Sequence, residues 1–135
     1  MILKYSINMP IDKVYLCLSD MQKFADVHPV IYKAEKIGEQ EYLFYEKIKI
    51  VFIPFSFNYK VSLKNQINNQ SVEMESSVQK GVHLVLKFSL KSIGHKTEIV
   101  EEVIVTSNFI VKNIFHNILK KAHKKLFKNI EKSIH

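Results

Sequence analysis

Apolar and polar positions alternate with a period of two over most of this chain and shift to steps of three and four at its end. In residues 2 to 8, ILKYSIN, the residues Leu3, Tyr5 and Ile7 share one face, as in a strand. Pro10 suits a first helical turn and Asp12 its positive end, so a short helix follows with Val14 and Leu18 inward. Ser19 and Asp20 can cap a second short helix to about Val27. His28-Pro29 ends it, because the residue before proline is pushed out of α geometry.

Strand text then runs without a helical break, near 31–37, 41–52, 54–65, 70–79, 82–92 and 96–106. Gly38, Gly81, Gly94 and Asn68-Asn69 fall between these segments as turn signals, and Pro54 marks a break or bulge in the remaining gap. The run Phe55, Phe57, Tyr59, Val61, Leu63 opposes Ser56, Asn58, Lys60, Ser62, Lys64. Val72, Met74, Ser76 and Val78 oppose Glu73 and Glu75, and Val82, Leu84, Leu86, Phe88 and Leu90 oppose His83, Lys87 and Lys91. One sheet face is apolar and the other wet, which predicts an antiparallel meander with helices at the two ends of the chain, an α+β fold.

From 108 to 135 the chain has no Gly or Pro. Val111, Phe115, Ile118, Leu119, Ala122, Leu126 and Ile130 fall on one side of a single long helix. Lys120, Lys121, Lys124, Lys125 and Lys128 fall on the other. A sheet of about seven strands curves, and one helix cannot fill so wide a concave side. Packed aromatics or a ligand must fill the rest.

Composition narrows the function classes. The 135 residues suit one domain, 1–135, with 47% apolar and 24% charged residues. No apolar run approaches the roughly 18 residues of a spanning helix, and MILKYSINMP lacks the flanks of a signal peptide. The lone Cys17 excludes an internal disulfide and fits a reducing compartment, so a cytoplasmic location is expected; the thiol itself reads as a buried small hydrophobe. The net charge of +7 sits almost wholly in residues 108 to 135, which hold seven Lys and one acid. Every basic residue is Lys. Arg makes the bidentate contacts to bases, so specific nucleic-acid reading is not expected.

The order of a strand, Pro10-x-Asp12-x-Val14, Leu18-Ser19-Asp20, Phe24, His28-Pro29, an antiparallel meander and a long terminal helix resembles the START-like superfamily. That group, also called SRPBCC, holds polyketide cyclases, coenzyme-Q-binding proteins, the birch-pollen-allergen type and Hsp90-activator-type domains. The resemblance covers the whole chain. It implies a helix-grip fold, a curved antiparallel sheet wrapped around the terminal helix with a hydrophobic cavity between, used by members for lipids, polyketides, hormones or quinones.

The candidate residues follow. Phe55, Phe57 and Tyr59, with Phe44, Phe88 and Phe115, either line an apolar pocket of about a few hundred Å³ or pack as core. Met74, Leu86, Leu119 and Ala122 join that candidate lining, and the Tyr59 hydroxyl could orient a polar ligand group. Glu101 shares parity with Ile99, Val103 and Val105, which aims it at the concave face as a weak catalytic candidate; a bulge at Glu101-Glu102 would turn it to solvent, and that reading is favoured. His28 stands at the expected cavity mouth, to touch a ligand or cap its helix. His116 and His123 share a helix edge about 10 Å apart, too far for one metal ion, and His83, His95 and His135 form no ligand cluster, so neither metal nor cofactor is expected. No nucleophile elbow, HExxH or phosphate loop is present.

These readings lead first to a binder of a small hydrophobic ligand, monomer or homodimer. A cyclase or aromatase using Glu101 and Tyr59 is the alternative. A third reading has the lysine face touch a polyanion such as RNA or a membrane surface weakly.

Overall fold

In the computed structural model, which describes residues 1–50, 52–79 and 81–133, the elements come in the expected order. β1 (Ile2–Ile7) leads to α1 (Ile11–Ser19) and α2 (Met21–Val27). Six strands follow: β2 (Ile31–Gly38), β3 (Glu41–Ile50), β4 (Ile53–Ile67), β5 (Ser71–Gln79), β6 (Val82–Ile93) and β7 (Lys96–Thr106). The chain then enters α3 (Phe109–Lys132). Val51, Lys80, Ile134 and His135 lie outside the described residues, and with them the last two positions of the expected helix, one of them a histidine expected to join no ligand cluster.

All pairings are antiparallel, in the order β1-β7-β6-β5-β4-β3-β2. Five of the six are between sequence neighbours. The sixth brings Ile2 opposite Glu102 and so ties the start of the chain to its far end. The apolar parity predicted for β4, β5, β6 and β7 is the buried one: Val61, Met74, Leu86, Phe88, Ile99 and Val103 are all buried, together with Val14, Leu18 and Phe24 of the two short helices. α3 closes the concave side through Ala122, Leu126, Phe127 and Ile130, and its lysines 120, 121, 124, 125 and 128 are exposed.

Local chemistry sets the boundaries. Asp20 caps α2 by accepting from the Gln22 and Lys23 amides at 3.0 and 3.2 Å. The Ser19 hydroxyl instead donates back to the Tyr15 carbonyl at 2.7 Å. Asn108 caps α3 through the Val111 amide at 2.9 Å. Gly81 and Gly94 do adopt left-handed φ values of 80° and 60°, and Asn69 takes 61°. The β2–β3 turn differs, since its left-handed residue is Gln40 at φ 59° and Gly38 ends the strand. Pro54 is not a break either. It lies inside β4 opposite Lys49, while Phe52 makes the turn at φ 67°, almost wholly exposed at 94%. Cys17 is half-buried rather than buried, on a surface groove between α1, α2 and Ser133.

Candidate functional site

The concave face of β3 to β6, the end of α2 and the middle of α3 enclose a cavity of about 30 Å³. Its wall is mostly apolar. Of the residues expected there, His28, Phe44, Tyr59, Met74, Leu86, Leu119 and Ala122 do line it. Phe57 is half-buried and stacks on Tyr59 with ring centroids 5.8 Å apart, outside the lining. Phe115 is half-buried and also outside it, and Phe55 is exposed. Phe88 is fully buried outside the lining, its ring 6.2 Å from that of His123 between centroids. The expected few hundred Å³ is not found here, where the buried side chains of Phe24, Phe44, Tyr59 and Met74 crowd the lining. The volume left suits one or two waters.

Buried polar side chains stand in this wall, namely His28, Glu46, Tyr59, Ser76 and His123, and Glu101 stands behind His123. Glu101 does not turn outward. The pairing of β7 with β1 and β6 runs through Glu101 and Glu102 without a bulge, so strand parity holds and Glu101 is 0% exposed. Its carboxylate Oε2 meets Nδ1 of His123, a residue 1% exposed on the inner face of α3. His123 is thus not the edge partner of His116, which is only half-buried. Its spacing from Leu119, Leu126 and Ile130 places it in the middle of the apolar stripe, a signal available in the sequence. Glu46 was also missed, although it shares parity with Phe44 and Ile48 in β3. Burial raises its pKa, opposed by the Tyr59 hydroxyl and by His123. Tyr59 donates to Glu46 Oε1 at 2.8 Å, and burial, then Glu46, holds the phenol well above its usual range.

His28 both ends α2 and lines the cavity. Its Nδ1 accepts from the amides of Val30 and Ile31, each at 3.2 Å. Burial, then nearby His123, holds its pKa well below the ordinary value. The two imidazoles meet edge to face with centroids 5.6 Å apart. Outside the cavity lies an apolar groove of about 350 Å³ between α3, the segment Pro29-Val30 and β3, rimmed by Lys49, Lys121 and Lys125. Val30, Ile118 and Ala122 line both spaces and form the wall between them. Among the described residues no three His, Cys, Asp or Glu side chains are grouped to hold a metal ion, and no helix is long and apolar enough to cross a membrane.

No protein-family model matches the chain, and no curated protein matches it in sequence. Solved structures do match it in shape. A conserved protein from Geobacillus kaustophilus aligns at a TM-score of 0.76 and 16% identity, over 96% of this chain and 90% of that one. Ara h 8.0201 aligns at 0.75 and 13% identity, over 97% and 93%. The Zhui aromatase/cyclase from Streptomyces sp. R1128 aligns at 0.68 and 10% identity, over 97% and 90%. The likeness is one of fold: the chain has a helix-grip fold, a curved antiparallel sheet closed by a long terminal helix, as its motif order implied.

Proposed function

We propose that the chain binds a small hydrophobic molecule, a lipid, quinone or polyketide-like compound, in the space between sheet and α3. The observation that carries this reading is the pair of spaces sharing one apolar wall of Val30, Ile118 and Ala122. Burial of apolar surface in the groove supplies affinity, and the polar groups of the inner cavity supply orientation. Native mass spectrometry after incubation with a panel of lipids, quinones and aromatic polyketides tests it. A retained ligand, lost in Ile118→Trp, is expected; retention of none overturns the reading.

A second reading, a cyclase or aromatase, is favoured by one observation: Glu101 is buried beside His123 rather than in solvent. Such a site places an acid/base pair against an apolar cavity. Cyclised product from a poly-β-ketone thioester, lost in Glu101→Gln without loss of substrate binding, is its signature. An unchanged product profile in that variant excludes it.

A further inference from the structure

The proton positions on the two imidazoles follow from their partners. His28 Nδ1 accepts two backbone N–H groups, so it presents a lone pair and the ring proton sits on Nε2. His123 pairs through Nδ1 with Glu101, and both side chains are removed from water. An uncompensated charge in such a place is costly, so the pair holds one exchangeable proton and is neutral overall. Two arrangements satisfy this: a carboxylate facing an imidazolium, or a carboxylic acid facing a neutral imidazole. In both of them Nε2 of His123 carries a hydrogen.

The cavity wall therefore offers two N–H donors. Neither Nε2 has a hydrogen-bond partner among the described residues, and both rings line the same cavity. Their 5.6 Å centroid separation is short enough for one oxygen to accept from both at about 2.9 Å when the two N–H bonds converge on it. At about 30 Å³ the cavity holds an oxygen and little else.

We infer that this niche receives the carbonyl oxygen of an apolar molecule, hydrogen-bonded to His28 Nε2 and His123 Nε2, with the Val30 and Ile118 side chains turned aside so that the body of the molecule continues into the groove. The inference rests on the ligand-binding reading above. A carbonyl oxygen has two lone pairs and no hydrogen to place, which complements two donors. A hydroxyl would bring a further hydrogen that needs its own acceptor. A carboxylate would bring negative charge into a wall that already holds Glu46.

Two probes of nearly equal shape separate the possibilities, 2-acetylnaphthalene and 2-isopropenylnaphthalene, which differ by C=O in place of C=CH₂. The ketone should bind at least about tenfold more tightly, the effect of one hydrogen bond to a charged or strongly polarised group. Its infrared carbonyl band should shift below the position found in hexane. His28→Asn keeps an acceptor for the Val30 and Ile31 amides, and His123→Asn keeps a donor towards Glu101; each lacks Nε2. Each should lose about tenfold in ketone affinity and leave the alkene unchanged. Equal binding of the two probes by the unaltered protein, or an unshifted band, overturns carbonyl recognition and leaves ligand binding standing. Binding of neither probe overturns the ligand-binding reading and this inference with it.

Discussion

At the scale of single residues, the buried polar atoms divide into satisfied and orphaned ones. The Thr97 hydroxyl donates to the Met9 carbonyl at 2.8 Å, whereas the Tyr5 hydroxyl and Glu101 Oε1 are buried with no hydrogen-bond partner among the described residues. Burial, then the negative charge of Glu101, pushes the Tyr5 phenol upward. The Tyr5 ring itself is well placed, 4.2 Å from Phe127 between centroids. Tyr5→Phe should therefore be neutral or stabilising by up to about 1 kcal/mol in urea denaturation, since it removes only the unsatisfied group. A clear loss of stability would mean the hydroxyl has a partner.

His28 gives the second residue-level prediction. In the fold it stays neutral well below the ordinary value of 6.5, while in the unfolded chain it takes up a proton near that value. Below pH 6.5 the unfolded chain binds more protons, so this group makes stability fall as pH falls, and it contributes nothing above. Glu46 works in the opposite sense, its raised pKa making stability fall as pH rises above the ordinary 4.5. Urea midpoints measured at about pH 7.5 and about pH 5.5 should lie closer together in His28→Asn than in the unaltered protein. An undiminished gap would assign the acid sensitivity to other groups.

At the scale of elements, the strands and the apolar stripe of α3 were readable because each buries one face, and burial of one face imposes a period. Two kinds of feature escaped. Turns are decided by backbone conformation, and Phe52 at φ 67° carries no compositional signal, whereas Gly81 and Asn69 do. Buried polar residues look like surface residues unless their parity is counted. Strand parity points inward for Glu101 and Glu46, as helical spacing does for His123, and at Glu101 the adjacent Glu102 suggests a bulge that the pairings with β1 and β6 do not contain. The outer face of α3 leads to a further expectation. Lys120, Lys124 and Lys128 are exposed along it, so its retention on immobilised RNA should fall steeply with added salt. The triple change of these lysines to Glu should abolish that retention. Salt-insensitive retention would place the contact elsewhere.

At the scale of the whole molecule, five strand pairings close short loops and one closes about a hundred residues. Loop-closure entropy favours the local hairpins early and the β1–β7 pairing late. Met74→Ala in β5 should thus slow folding, and Ile7→Ala in β1 should chiefly speed unfolding, each costing about 2–5 kcal/mol. Stopped-flow chevrons decide it: a slowed folding limb for Ile7→Ala would put the ends of the chain together in the transition state.

The wall shared by cavity and groove bears on time as well as on affinity. One side of it, Val30, follows Pro29 on a connecting segment; the other, Ile118 and Ala122, is carried by a helix anchored by Leu126, Phe127 and Ile130. A molecule that reaches past this wall waits on side-chain rearrangement or movement of the helix, both on the way in and on the way out. Exchange should then be slow relative to diffusion, and residence should shorten in Ile118→Ala, where the obstruction is cut back while the imidazoles stay in place.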